Sequence, residues 1–301
     1  MSRYLVTGAS GFLGGFLLNF VTSTKGEVFS VGRNSSNQIV ADLAREIPVI
    51  SQNIDVVVHA AGKAHTVPST EAEKRDFFDV NLNGTKNLCT ALEKLEIKPL
   101  SFIFISTVAV YGLDTGKNIP ERHVLAGKTP YALSKIEAEK FLETWCATNH
   151  IKLSILRLPL IAGQRPPGNL GAMVKGIQSG KYFNISGGTA KKSIVMAADV
   201  AKWIPVIAQH PGIYNLTDGY HPSFSELANV IAKQLNKSTP KNIPGWIAKC
   251  IALVGNLLGN KAPINTDKLQ KITATLTFDD TLARKTFGWA PSKVLDGFII
   301  D

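Results

Sequence analysis

The chain has 301 residues, 45% of them hydrophobic and 19% charged, which suits a soluble globular protein of one large or two small domains. Three widely spaced cysteines, Cys89, Cys146 and Cys250, exclude a disulfide framework and a metal site with cysteine spacing, and point to a reducing cytoplasm. A net charge of +10 favours anionic ligands such as dinucleotides; with no dense Lys/Arg run or base-stacking motif, it does not indicate nucleic acid.

Residues 3–6 read as a strand beginning almost at the N-terminus, which leaves no room for a signal peptide before it. Gly8-x-x-Gly11-x-x-Gly14 follows, then an apolar segment over 12–21 with the density of a helix packed on a sheet. Strand, glycine turn and helix together let a backbone approach a pyrophosphate, whose charge meets free helix N–H groups. The spacing is not the commoner G-x-G-x-x-G, and three glycines alone would also suit a plain strand-to-helix turn.

Residues 27–31 predict the second strand, ending in Gly32-Arg33-Asn34. In a Rossmann sheet this strand end faces the adenosine ribose. A carboxylate there suits NAD, and an Arg accommodates the 2′-phosphate of NADP. Gly32 stands where the acid is expected and Arg33 follows, so NADP(H) is favoured over NAD(H).

Residues 38–41 predict a short third strand with Asp42 and Leu43 at its end. Residues 55–59 predict a buried strand running into Ala60-Ala61-Gly62, where small side chains admit a ligand. A helix over about 70–96 contains Asn81, and another buried strand covers 100–106. This alternation predicts an α/β fold, a doubly wound parallel Rossmann sheet with right-handed crossovers.

Thr129-Pro130 opens a helix to about residue 149. Tyr131 and Lys135 are four apart and share one face of it. A phenol titrates near 10 in water, so acid–base work near neutrality needs a close cation and a hydrogen bond. Lys135 is the expected cation, with Thr107 at the preceding strand end. Further on, residues 246–258 are rich in Ile, Ala, Leu and Val but too short to span a membrane, and Lys249 interrupts them. They predict a core or interfacial helix.

Taken together, Thr7-Gly8-Ala9-Ser10-Gly11-Phe12-Leu13-Gly14, His59-Ala60-Ala61-Gly62, Asn81-x-x-Gly84-Thr85, Ser106-Thr107 through Tyr111-Gly112, and Tyr131-x-x-x-Lys135 resemble the extended short-chain dehydrogenase/reductase family. Within it, the second half resembles bacterial nucleotide-sugar 4-epimerases and 4-ketoreductases of surface-polysaccharide pathways, of the NAD-dependent epimerase/dehydratase type. The segments behind this are Arg157 to Gly163, Gly168-Asn169-Leu170, Lys192 to Val195, Asp199-Val200-Ala201, Leu216 to Gly219 and Phe287 to Pro291.

The resemblance implies that Tyr131 exchanges a proton with the sugar oxygen, Lys135 binds the nicotinamide ribose, and Thr107 polarises the reacting carbonyl. It implies a cofactor set of Gly8, Ser10, Gly11, Phe12, Leu13, Gly14, Arg33, Asn34, Asp42, Leu43, Ala60, Ala61, Gly62, Asn81, Ser106, Tyr131, Lys135 and Pro159. Asn169 and Lys192 would bind the substrate diphosphate, although relatives more often carry Arg at the second position. Leu160 stands where galactose epimerases carry an Asn, which argues against a strict galactose epimerase.

Pro166-Pro167-Gly168 marks the exit from the first domain. The expected division is a Rossmann domain over 1–165, to which about 193–215 returns, and a smaller C-terminal substrate-binding region over 166–301. The expected activity is reduction of a UDP-linked 4-keto (acetamido)sugar, with UDP-N-acetylhexosamine 4-epimerisation as the alternative. A non-catalytic NADP(H) sensor is a third reading, set against the retained Tyr131 and Lys135. The expected partners are the nucleotide sugar and, in solution, a second copy in a homodimer, with neither nucleic acid nor a membrane span.

Overall fold

The computed structural model describes residues 2–24, 26–257 and 265–300. In chain order, the first half contains β1 (Arg3–Thr7), α1 (Phe12–Ser23), β2 (Glu27–Gly32), β3 (Ile39–Val40), β4 (Val56–His59), α2 (Glu71–Phe78), a π-helical turn (Asp79–Asn83) and α3 (Gly84–Glu93). It continues with β5 (Ser101–Thr107), a 3-10 turn (Val108–Tyr111), β6 (Gly116–Ile119), α4 (Pro130–Thr148) and β7 (Lys152–Leu158). The second half contains β8 (Leu160–Ala162), α5 (Gly168–Gln178), β9 (Asn184–Ile185), β10 (Ile194–Met196), α6 (Ala197–Ile207), β11 (Gly212–Asn215) and α7 (Phe224–Gln234). It closes with β12 (Asn242–Ile243), α8 (Gly245–Leu257), α9 (Thr266–Thr273), β13 (Leu276–Phe278), α10 (Thr281–Phe287) and α11 (Val294–Gly297). Leu258, the expected end of the apolar helix, lies outside the described residues.

Seven parallel strands form the main sheet in the order β11-β7-β5-β4-β1-β2-β3. All seven residues of β5 are buried, because helices cover both faces and side chains alternate between them. Val6, Val58, Ile103, Ile105 and Leu156 join the core under α1 and α6. Their neighbours Leu5, Val57, Phe102, Phe104 and Ile155 join the core under α3 and α4. The order reverses between β1 and β4. That switch point opens a crevice at the carboxyl ends of the two strands, where a ligand can bind.

The expected helix over 70–96 is divided. Its α2 start carries a capping box, Thr70 with Glu73, and its middle widens into the π turn around Asn81 before α3 ends at Glu93. The segment over 193–215 also splits. β10 pairs with β8 in a separate two-stranded sheet, while β11 adds to the edge of the main sheet beside β7. A third core, from α5, α7 and α11, gives the C-terminal region its own interior. The pairing of β6 with β13 ties the two halves together. No described helix is long and apolar enough to cross a membrane.

Candidate active site

The glycine turn leaves β1 at the switch point. Gly8 has φ +70°, and a Cβ on it would lie 2.6 Å from the Ala61 amide nitrogen. A Cβ on Gly14 would overlap the Gly8 carbonyl oxygen, so α1 can approach the turn only without a side chain there. Gly11 is the N-cap of α1, with no side-chain cap bond and no acid in the first turn. The N–H groups of that first turn remain open to an anion. Ser10 and Gly11 are exposed, Phe12 is half-buried, and Leu13 anchors the helix in the core. This cradle fits a dinucleotide pyrophosphate.

The loop facing the turn is tied down from beneath by His59, which the sequence presented only as a strand end. Thr85 gives its hydroxyl proton to the Asn81 carbonyl at 2.6 Å. It therefore accepts from His59 Nε2–H at 2.9 Å, and His59 Nδ1 accepts from the Thr7 hydroxyl at 2.6 Å. Thr7 Oγ1 in turn accepts the Ala61 N–H at 3.0 Å. Burial and the nearby Lys135 charge push the His59 pKa down to about 3, so the imidazole stays neutral and keeps this tautomer. One chain of bonds thus joins β1, β4, the Ala60-Ala61-Gly62 loop and α3.

Asn81 sits in the π turn, almost fully buried. It accepts from Lys63 N at 2.8 Å and donates to Lys63 O at 3.2 Å and to Ser134 Oγ at 2.9 Å. The expected cofactor residue therefore fixes the loop after Gly62 to α4. A Cβ on Gly62 would lie 3.1 Å from Asn81 Oδ1 and 3.3 Å from Lys135 Nζ, so the three converge on one small space.

Thr129 caps α4 by accepting from Ala132 N at 3.2 Å, with Pro130 in the first turn. Tyr131 is therefore in the first turn, where the helix dipole favours a developing phenolate. Its half-buried ring packs 6.2 Å from Phe77, and its hydroxyl faces Thr107, which pulls the phenol pKa down against the effect of burial. Thr107 Oγ1 accepts from Ala109 N at 3.2 Å, which holds it at the mouth of β5.

Lys135 is buried. Its ammonium donates to Ile105 O at 2.9 Å and lies 4.4 Å from the Phe104 ring centre. Burial lowers its pKa to about 8, against a raising effect from Glu139. In the protein alone, burial holds the Tyr131 phenol above its ordinary value while Thr107 pulls it down.

Behind Lys135 lies a buried ion pair that the sequence reading missed. Arg157 donates to Glu139 from Nη2 at 2.7 Å and from Nε at 3.2 Å. Ser106, an expected cofactor residue, is buried and donates its hydroxyl to Glu139. The spacing of Glu139, four after Lys135, is the signal that could have revealed it.

The remaining expected residues are spread around these. Arg33 and Asn34 are exposed after β2; Asp42 caps its own turn by accepting from Ala44 N at 3.2 Å, and the Leu43 side chain is in the core. Pro159 is half-buried between β7 and β8. Asn169 is exposed in the first turn of α5, and Lys192 is half-buried, its pKa lowered by burial. A Cβ on Gly168 would lie 2.7 Å from His65 Nδ1, so His65 packs against the start of α5. Among the described residues no cluster of metal-ligating side chains occurs.

A family model described as the NAD dependent epimerase/dehydratase family matches residues 4–217. The chain is 29% identical to the N-acetyl-alpha-D-glucosaminyl-diphospho-ditrans,octacis-undecaprenol 4-epimerase of Escherichia coli O157:H7, covering 97% of this chain and 92% of that one. It is also 29% identical to a UDP-glucose 4-epimerase of Vibrio cholerae, over 98% and 92% of the two chains. The UDP-glucuronic acid 4-epimerase of Bacillus cereus, solved with UDP-glucuronic acid and NAD, shares the fold at TM-score 0.74 and 20% identity, over 98% and 96%. With the glycine cradle, Thr107, Tyr131 and Lys135 in place, the chain belongs to the NAD-dependent epimerase/dehydratase family of enzymes.

Proposed function

We propose that this enzyme uses NADPH to reduce the C4 keto group of a UDP-linked 4-keto (acetamido)sugar, in the cytoplasm and for surface-polysaccharide biosynthesis. The observation that carries the reading is the end of β2. A Cβ on Gly32 would lie 2.8 Å from Asn37 Nδ2, which is itself bonded to Asn34 O at 2.9 Å. Position 32 thus offers no carboxylate, and the Asn37 side chain occupies the space where one would start. Arg33 is exposed and, among the described residues, in no ion pair, so it can meet a 2′-phosphate. NADP(H) should bind at least about tenfold more tightly than NAD(H) in calorimetry, one charge-assisted pair being worth about 1.5–3 kcal/mol. Arg33→Ala should erase the difference, and equal affinities in the unmutated protein would sink the preference.

The cofactor, when bound in the α1 cradle, would supply the hydride for C4. Thr107 donates a hydrogen bond to the keto oxygen, its own Oγ1 steadied by the Ala109 N–H. Tyr131 gives its phenol proton to that oxygen as charge develops, and the α4 N-terminus and Lys135 stabilise the phenolate left behind. Asn169 and Lys192 hold the diphosphate from the C-terminal region.

Epimerisation of a UDP-N-acetylhexosamine at C4 is the second reading, favoured because both curated relatives are named as 4-epimerases. The same groups serve it, with the hydride returned to the opposite face. Purified protein mixed with UDP-sugars or their 4-keto derivatives distinguishes the two by NADPH absorbance and product NMR. Stoichiometric NADPH loss on a keto sugar is the expected result. Interconversion of hexosamine epimers without net oxidation would replace the reductase by the epimerase.

A further inference from the structure

Helix α8 is turned inside out. Its buried positions are the small residues Ala248, Ala252 and Gly255, at the four-and-three spacing of one face, and they pack toward Leu269 of α9 with Ile185 and Ile243 alongside. Its large apolar residues face outward: Trp246 is 70% exposed, Leu253 60%, Val254 65% and Leu257 87%. An ordinary surface helix has the opposite polarity, because burying Trp and Leu stabilises far more than burying Ala. A contiguous apolar face on one helix marks an interaction surface.

The charge around it selects the partner. Between residues 237 and 257 there are three lysines, Lys237, Lys241 and Lys249, all exposed, and no acidic residue. A two-fold dimer through this face would set the same patch, and so the same lysines, against itself. An anionic lipid headgroup layer attracts those lysines and admits the apolar side chains between headgroups, with Trp at the boundary it favours. At 13 residues the helix is about 20 Å long, too short to cross a bilayer but suited to lie along it.

We propose that α8 docks this enzyme on an anionic lipid surface, its outward face lying in the headgroup plane. The docking is independent of the reaction assigned above. It holds the substrate region at a membrane without a spanning segment.

Flotation with vesicles tests it. The protein is expected to float with phosphatidylcholine vesicles containing one third phosphatidylglycerol, weakly or not at all with phosphatidylcholine alone, and less as salt rises. Trp246→Ser with Leu257→Ser should weaken flotation at least about tenfold with the melting temperature unchanged, through lost apolar burial. Brominated lipids should quench Trp246 fluorescence, since Trp145 and Trp289 are buried and Trp203 is half-buried. Failure to float with either vesicle, flotation unaffected by the double substitution, or a dimer in solution that the substitution dissociates would each overturn the proposal.

Discussion

Tyr131→Phe lowers turnover by roughly 10²- to 10⁴-fold, the usual contribution of a positioned proton donor, and leaves the fold intact. The change removes one hydroxyl from a half-buried ring whose packing is against Phe77, 6.2 Å away between centres. Thr107 keeps the Ala109 N–H. Stability should therefore move by no more than about 1 kcal/mol. Cofactor affinity should fall only slightly, because of the expected cofactor residues only the Tyr131 hydroxyl is lost while the α1 cradle and Lys135 are untouched. Turnover unchanged in the variant would remove Tyr131 from the chemistry and favour the sensor reading.

The neighbouring lysine sets the pH response. With its pKa lowered to about 8, Lys135 loses its charge as pH rises through that value, and kcat/KM should fall there. Stability should move the other way. The unfolded lysine holds its proton up to about 10.5, so between about 8 and 10.5 the unfolded state binds more protons and folding becomes more favourable as pH rises.

The parts of this site that the sequence revealed are local in the chain. Gly8, Gly11 and Gly14 meet within one turn, and Tyr131 and Lys135 within one turn of α4, so spacing alone places each set on one surface. The doubly wound sheet was legible for the same reason: β4 and β5 are near-continuous apolar runs separated by helical segments. What was not legible depends on meetings across the sheet. His59 finds Thr7 52 residues back and Thr85 26 residues on, and a strand-end histidine does not announce either. The π turn escaped because Asn81-Leu82-Asn83-Gly84 differs from ordinary helix only through what Asn81 must reach. α8 is apolar nearly all round, so no periodicity could say which side faces out. Its packing on α9 decides that.

Glu139→Gln destabilises the protein by about 3–5 kcal/mol, the cost of leaving a buried partner charge uncompensated. Glu139 and Arg157 are only 2% and 3% exposed at their side chains. Arg157 has no water to turn to: its other bonds go to the Tyr111 hydroxyl at 3.2 Å and the Glu121 carbonyl at 2.9 Å, both neutral. Tyr111 passes the contact on to Asn215 at 2.8 Å, so the loss spreads from α4 to the sheet edge. Arg157→Met should cost a similar amount, by stranding the carboxylate instead. Replacing both residues together with apolar ones should recover much of the loss, since the pair's attraction mainly offsets its own desolvation. Thermal or denaturant unfolding of the two single variants and the double variant measures this. The pH profile then separates a structural tie from a positioning role. Glu139 raises the Lys135 pKa, so Glu139→Gln should shift the alkaline fall in kcat/KM to lower pH, whereas Arg157→Met, which frees Glu139 to act on Lys135 alone, should not. Equal alkaline limbs in both variants would confine the pair to holding β7 against α4, with no hand in the charge state of the active-site lysine.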